Sequence, residues 1–100
     1  MTDKEEKCKI MMDKTRVLGF EFTENSRSRI VFDLLRILRT HPSYSKSKFM
    51  NRLSHLLNAQ TLSGQNVEYV LSELHSAEGD EFAELASAFV GGLLLLKVKP

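Results

Sequence analysis

The chain has 100 residues, 42% of them hydrophobic and 27% charged, with a formal net charge of +1. That balance excludes a disordered segment, and the length allows one modest core with little material for an enclosed active site. A single cysteine, Cys8, excludes an internal disulfide. The charged start MTDKEEKCK lacks the apolar run of a signal peptide, and the longest apolar run, 88–96, falls short of the ~20 residues of a membrane span. A soluble cytoplasmic protein without a membrane segment is expected.

Residues 1–24 read as a partly ordered N-terminal arm, and residues 25–100 as a single helical domain. Within the arm, Thr2 with Glu5 three residues later has the spacing of a capping box. It predicts a short helix to about Asp13, with Cys8, Met11 and Met12 on one side. From Thr15 to Thr23, Phe20 and Phe22 alternate with Gly19 and Glu21, a strand-like period. This stretch is expected to lie extended over the helical core, with 93–99 as the one segment able to pair with it.

The stretch 26–40 predicts a helix capped by Asn25 or Ser26 and ended by Pro42. Ile30, Val31, Leu34, Leu35, Ile37 and Leu38 cover an arc of roughly 160°, wide enough to meet two neighbours. The other side carries Arg29, Phe32, Arg36 and Arg39 in a row. Tyr44 and Phe49 then bracket Ser45 with hydrophobic-staple spacing, predicting a helix over 46–58. That helix has Phe49, Met50, Leu53, Leu56 and Leu57 inward and Lys48, Asn51, Arg52 and His55 outward. Leu62, Ser63 and Val67 repeat the staple before a helix to about Ala77, which buries Val67, Val70, Leu71 and Leu74. Gln65, Glu68, Tyr69, Ser72 and Glu73 face out. Gly79 is placed to end it, and Asp80 to cap a last helix to about residue 95.

The expected fold is therefore mainly α, a compact four-helix orthogonal or antiparallel bundle with an N-terminal arm that adds a short helix or strand. In the last helix Phe82, Leu85, Ala86, Phe89, Leu93 and Leu96 line up. From Val90 it is apolar nearly all round, so Val90, Leu93, Leu94, Leu95 and Leu96 are expected to form a self-association surface giving a homo-oligomer. Gly91 and Gly92, alone inside this apolar run, mark either tight helix packing or a break before the tail.

Charge is strongly segregated. Residues 26–55 hold seven Lys/Arg against Asp33, and residues 64–87 hold six Asp/Glu with no Lys or Arg. Arg29, Phe32, Arg36 and Arg39 thus form a candidate contact for a protein partner with an acidic surface, because Arg and aromatic side chains concentrate binding energy. The same row could instead be satisfied by the acidic stretch of its own chain.

His41, His55 and His75 lie on separate segments without metal-ligand spacing, and Cys8 is alone. Ser54 and His55 are adjacent on a helix and point apart, while Ser72 and His75 share an ordinary polar face. No P-loop or nucleophile elbow is present. A non-enzymatic regulatory or adaptor protein without metal or cofactor is the leading expectation. The alternative is a helix-turn-helix regulator of transcription built from 46–58 and 63–77, with Gln65, Asn66 and Tyr69 reading DNA. Against nucleic acid, the second of those helices presents Glu68 and Glu73 and no cation for phosphate.

Overall fold

The computed structural model describes residues 3–40 and 42–99, and their side chains apart from those of 42–44. Five helices are found among the described residues: α1 (Lys4–Arg16), α2 (Glu24–Leu38), α3 (Pro42–Ala59), α4 (Gln65–Ser76) and α5 (Gly79–Leu94). The chain is mainly α, as expected. The additional helix comes from the arm, where α1 runs to Arg16, with Met11 and Thr15 fully buried. Its N-cap is Asp3, whose side chain accepts from Glu6 N at 2.8 Å. Thr2, expected in that role, lies outside the described residues.

α5 is the centre of the fold. Phe82, Leu85, Ala86, Phe89, Val90 and Leu93 are all buried on it, and it packs against α1, α2 and α4. Phe49 of α3 meets both Phe82 and Phe89 edge-on, with centroids 5.7 and 6.1 Å apart. Phe20 meets Phe89 edge-on and stacks on Phe22, so one aromatic chain crosses the core in favoured geometries. The contact of α1 with α5 is the most extensive between helices. The two run in the same direction: Lys7 pairs with Glu81, and Thr15 lies over Gly92. A uniformly antiparallel bundle is thereby ruled out for this pair.

Gly91 and Gly92 serve this packing. A Cβ on Gly92 would lie 2.7 Å from Thr15 Cβ and 3.0 Å from the Met12 carbonyl oxygen. The backbones therefore approach where only hydrogen fits. Thr15 turns its hydroxyl back onto the Met11 carbonyl oxygen at 2.7 Å, satisfying the one buried polar side chain among the described residues.

The extended segment 17–22 lies on the core with Leu18, Phe20 and Phe22 buried and Val17, Gly19 and Glu21 exposed. Thr15 and Arg16 belong to α1, so the segment is shorter than its strand-like pattern. Its expected partner is present only as an isolated parallel bridge between Thr23 and Lys99, with Lys99 N donating to Phe22 O at 2.8 Å. Residues 93 and 94 stay in α5. A second tie comes from the loop after α3. The Gln60 side chain accepts from Glu21 N at 2.7 Å and donates to Glu21 O at 2.8 Å, satisfying both backbone groups as a strand neighbour would.

Several helix ends differ from expectation. α2 starts at Glu24, capped by Thr23 rather than Asn25 or Ser26. Ser26 is the other half of the capping box, its hydroxyl accepting from Thr23 N. Pro42 does not end α2, which stops at Leu38 as the Arg39 and Thr40 N–H groups bond back into its last turn. Pro42 instead opens α3, where a missing N–H costs nothing. The start expected at 46 is thus one turn late, and the Tyr44 side chain lies outside the described residues. α4 is capped by Gly64 rather than by Ser63; Gly64 has φ 116°, a conformation that a residue with a side chain would adopt there only with strain. Gly79 does have positive φ, but it opens α5 rather than closing α4, with Glu78 as N-cap.

Candidate interaction groove on α2 and α3

α2 and α3 lie side by side in opposite directions, with Arg52 Nε 2.7 Å from Asp33 Oδ2 at their middle. Only Val31 and Leu34 of α2 are deeply buried. Its wide apolar arc does meet two neighbours, α3 and α5, but together they do not cover it. Leu35 is exposed, and Ile30 is half-buried. Between the helices an open groove of about 820 Å³ has Ile30, Phe32 and Leu56 as apolar lining. Arg29, Arg36 and Arg52 stand round it, Asp33 lies between, and Ser26 and Ser28 close one end.

Phe32 is 67% exposed, the largest value among the big apolar side chains of the described residues. The arginine stems do not bury it. Arg29, Arg36 and Arg39 are all exposed beside it. Arg36 reaches Asp33 of its own helix at 3.4 Å; Arg29 and Arg39 make no ion pair among the described residues. The acidic stretch 64–87 answers other cations: Glu78 pairs with Lys46, Glu81 with Lys7 and Glu84 with Lys4. Internal neutralisation of the arginine row by that stretch is thus not how the charges are paired.

The groove continues into a smaller hollow of about 370 Å³, past Arg36, Asp33 and Arg52, toward Ile37, Lys48, Asn51 and His55. In the sequence Asp33 is the lone acid of a basic stretch, and its i,i+3 spacing to Arg36 is the one signal for this pairing. Arg27 and Lys46 are structural cations. Arg27 donates to the Leu94 and Leu96 carbonyls at the end of α5 at 3.2 and 2.6 Å. Lys46 donates to the His75 and Ala77 carbonyls at the end of α4, each at 2.8 Å. Both place positive charge at a helix C-terminus.

The apolar C-terminal end is less available than its composition suggests. Val90 and Leu93 are buried in the core, against α5's neighbours, and Leu96 is half-buried. Leu94 and Leu95 remain on the surface, about half exposed. Of the residues proposed to read DNA, Gln65 is exposed and Asn66 half-buried. Tyr69 is packed against the core with Lys14 of α1 5.6 Å from its ring centroid. Burial, then the Glu73 charge, push its phenol above the usual range, with Lys7 opposing. α4 packs on α1 and α5, so α1 occupies part of the face a recognition helix would offer.

His55 and His75 are exposed and far apart in sequence, and His41 lies outside the described residues. Among the described residues no group of three His, Cys, Asp or Glu side chains could hold a metal ion. No described helix is long and apolar enough to cross a membrane. Compared with protein-family models, with curated proteins and with solved structures, the chain matches none.

Proposed function

We propose that the chain is a small non-enzymatic interaction module, regulatory or adaptor in kind, that takes an acidic amphipathic segment of a partner protein in the α2–α3 groove. The observation that carries this reading is Phe32, two-thirds exposed in the middle of the arginine row and beside an apolar trough. An uncovered aromatic ringed by guanidinium groups is the composition of a binding hot spot. A groove of this kind accepts the apolar face of a helix. The arginines select acidic flanks because the acidic stretch of their own chain pairs with Lys4, Lys7 and Lys46 instead. Self-association is assigned to the surface leucines Leu94 and Leu95, and the compartment to the cytoplasm, in keeping with the free thiol of Cys8.

Selection from a random displayed-peptide library tests the groove. Acidic sequences with apolar residues at helical spacing are expected. Phe32→Ser should weaken them by about 2 kcal/mol, roughly thirtyfold in affinity. Because the ring is exposed, stability should change by no more than about 0.5 kcal/mol. Selected peptides without acidic bias, or peptides that bind Phe32→Ser and Arg29→Glu as tightly as wild type, would refute the reading. For self-association, Leu94→Asp combined with Leu95→Asp should lower the mass seen by light scattering; an unchanged mass removes that contact.

A further inference from the structure

The polar half of the groove has a charge balance of its own. Arg36, Lys48 and Arg52 border the smaller hollow, with Asp33 as the one acid among its lining residues, a net of two positive charges. Asp33 is bound by both guanidiniums, Oδ2 to Arg52 Nε at 2.7 Å and Oδ1 to Arg36 Nη2 at 3.4 Å. One carboxylate thereby holds two cations from different helices at the same spot, where they would otherwise repel. It does so without consuming them. A guanidinium has five N–H donors, more than one carboxylate can take up, so Arg52, with its Nε on Asp33, keeps donors for another acceptor. Lys48 stands one turn before Arg52 on α3, with Asn51 between them as a neutral donor.

We infer that this hollow is a phosphate-monoester subsite, so that the segment docking in the α2–α3 groove is a phosphorylated one. The inference rests on the docking reading above and names its ligand more closely. A phosphate monoester carries about −1.5 to −2 near neutral pH, with three strong acceptor oxygens, which matches the hollow's net charge. A single carboxylate leaves it half neutralised. Arginine forks also suit the tetrahedral oxygens, two parallel N–H bonds at a time. The hollow and the apolar trough share Asp33, Arg36 and Arg52, so one ligand can place its phosphate on the arginines and an apolar group beside Ile30, Phe32 and Leu56. A nucleic-acid backbone asks for a long track of cations, one charge at each phosphate; here the trough that continues the hollow is apolar.

The experiment is an amide NMR titration of the whole chain at constant ionic strength with inorganic phosphate, phenyl phosphate, benzoate and a single-stranded oligonucleotide. Both phosphates should shift Lys48, Asn51, Arg52 and His55 saturably. Phenyl phosphate should bind several-fold more tightly than inorganic phosphate and also shift Ile30 and Phe32, as a phosphate on a larger ligand would. Benzoate should bind at least about tenfold more weakly than phenyl phosphate. Arg52→Gln and Lys48→Gln should each weaken phenyl phosphate by about tenfold or more; the second leaves the Asp33 pairing untouched, so its effect is not a loss of fold. Absence of saturation, shifts elsewhere, equal binding of benzoate, or Lys48→Gln behaving as wild type would each overturn the subsite. So would an oligonucleotide that displaces phenyl phosphate with the same dependence on Lys48 and Arg52. If phosphate fails while selected acidic peptides still need Phe32, only the subsite is lost. If neither ligand depends on the groove, the docking reading falls with it.

Discussion

Replacing Gly92 with Ala sets two effects of opposite sign against each other at the contact of α1 with α5. In an open helix the change gains up to about 1 kcal/mol, because alanine loses less conformational freedom. Here the new methyl would lie 2.7 Å from Thr15 Cβ, 2.9 Å from its Cγ2 and 3.0 Å from Met12 O. None of these atoms is the loose end of a long side chain. Thr15 is fully buried and fixed by its hydrogen bond to Met11 O, so relief requires α1 to move off α5 by several tenths of an ångström. Overpacking of that kind costs about 1–3 kcal/mol, and a gap of about 0.5–1 Å forfeits a quarter to a half of each dispersion contact it opens. The clash wins, and we expect a net loss of about 1–2 kcal/mol. In a domain of this size Tm should fall by roughly 4–8 °C for each kcal/mol. Gly91 is the internal control. A Cβ there meets only Met12 Cε, at 3.2 Å, and a flexible thioether can swing aside. Gly91→Ala should therefore be neutral or gain up to about 1 kcal/mol. Urea unfolding followed by far-ultraviolet circular dichroism measures both. Gly92→Ala at or above wild-type stability would refute the close approach as the reason for glycine.

Arg27→Ala removes two donors from the carbonyls that end α5 and should cost about 1–2 kcal/mol, with faster amide exchange at 95–97; an unaltered urea midpoint would show that water replaces the guanidinium without penalty. The hydrogen bond from Lys99, and then its charge, hold the Glu21 carboxyl below the usual glutamate range. Its folded pKa lies below the unfolded one, so its contribution is present above the unfolded value and fades as pH falls through the folded value. In a carboxyl NMR titration Lys99→Ala should move Glu21 back upward; no movement would mean that the pair is not formed in solution. Burial, and then the Glu84 charge, push the Cys8 thiol up, with Lys4 opposing. It should alkylate more slowly than an unstructured cysteine at neutral pH and faster in Glu84→Gln. A rate above that of a free cysteine peptide would contradict this placement.

What could be seen in the sequence was the periodicity. Phe49, Leu53 and Leu57, Val67, Val70 and Leu74, and Phe82, Leu85 and Phe89 are buried as their spacing implies. The alternation of Phe20 and Phe22 with Gly19 and Glu21 also holds, and the tail supplies its neighbour at Lys99. Helix ends were harder to place, because caps compete. Thr23 and Ser26 are both good N-caps, and the bridge to Lys99 holds Thr23 extended and so favours it. The arginine row was legible because it lies on one face of one helix. The groove was not, since it depends on the position of Arg52, a side chain that α3's own wheel directs simply outward. The exposed part of the apolar C-terminal end is smaller than its sequence implies, for a related reason. A helix apolar on every side can be an interface or the centre of a core, and Val90 and Leu93 face neighbours that only the full fold supplies. Gln60 gave no signal, because an amide that mimics a strand neighbour looks like any loop residue.

The pairing of α1 with α5 bears on the order in which the chain can become stable. Residues 17–78 separate the two helices, so their contact closes a long loop and brings ordering cost before it brings burial. During synthesis α2 and α3 can meet early as a local hairpin. Met11, Phe20 and Phe22 must wait until α5 has emerged to find their cover. Through that interval the apolar groove and the uncovered arm are exposed together, which makes the nascent chain, more than the finished one, the form that needs protection from aggregation.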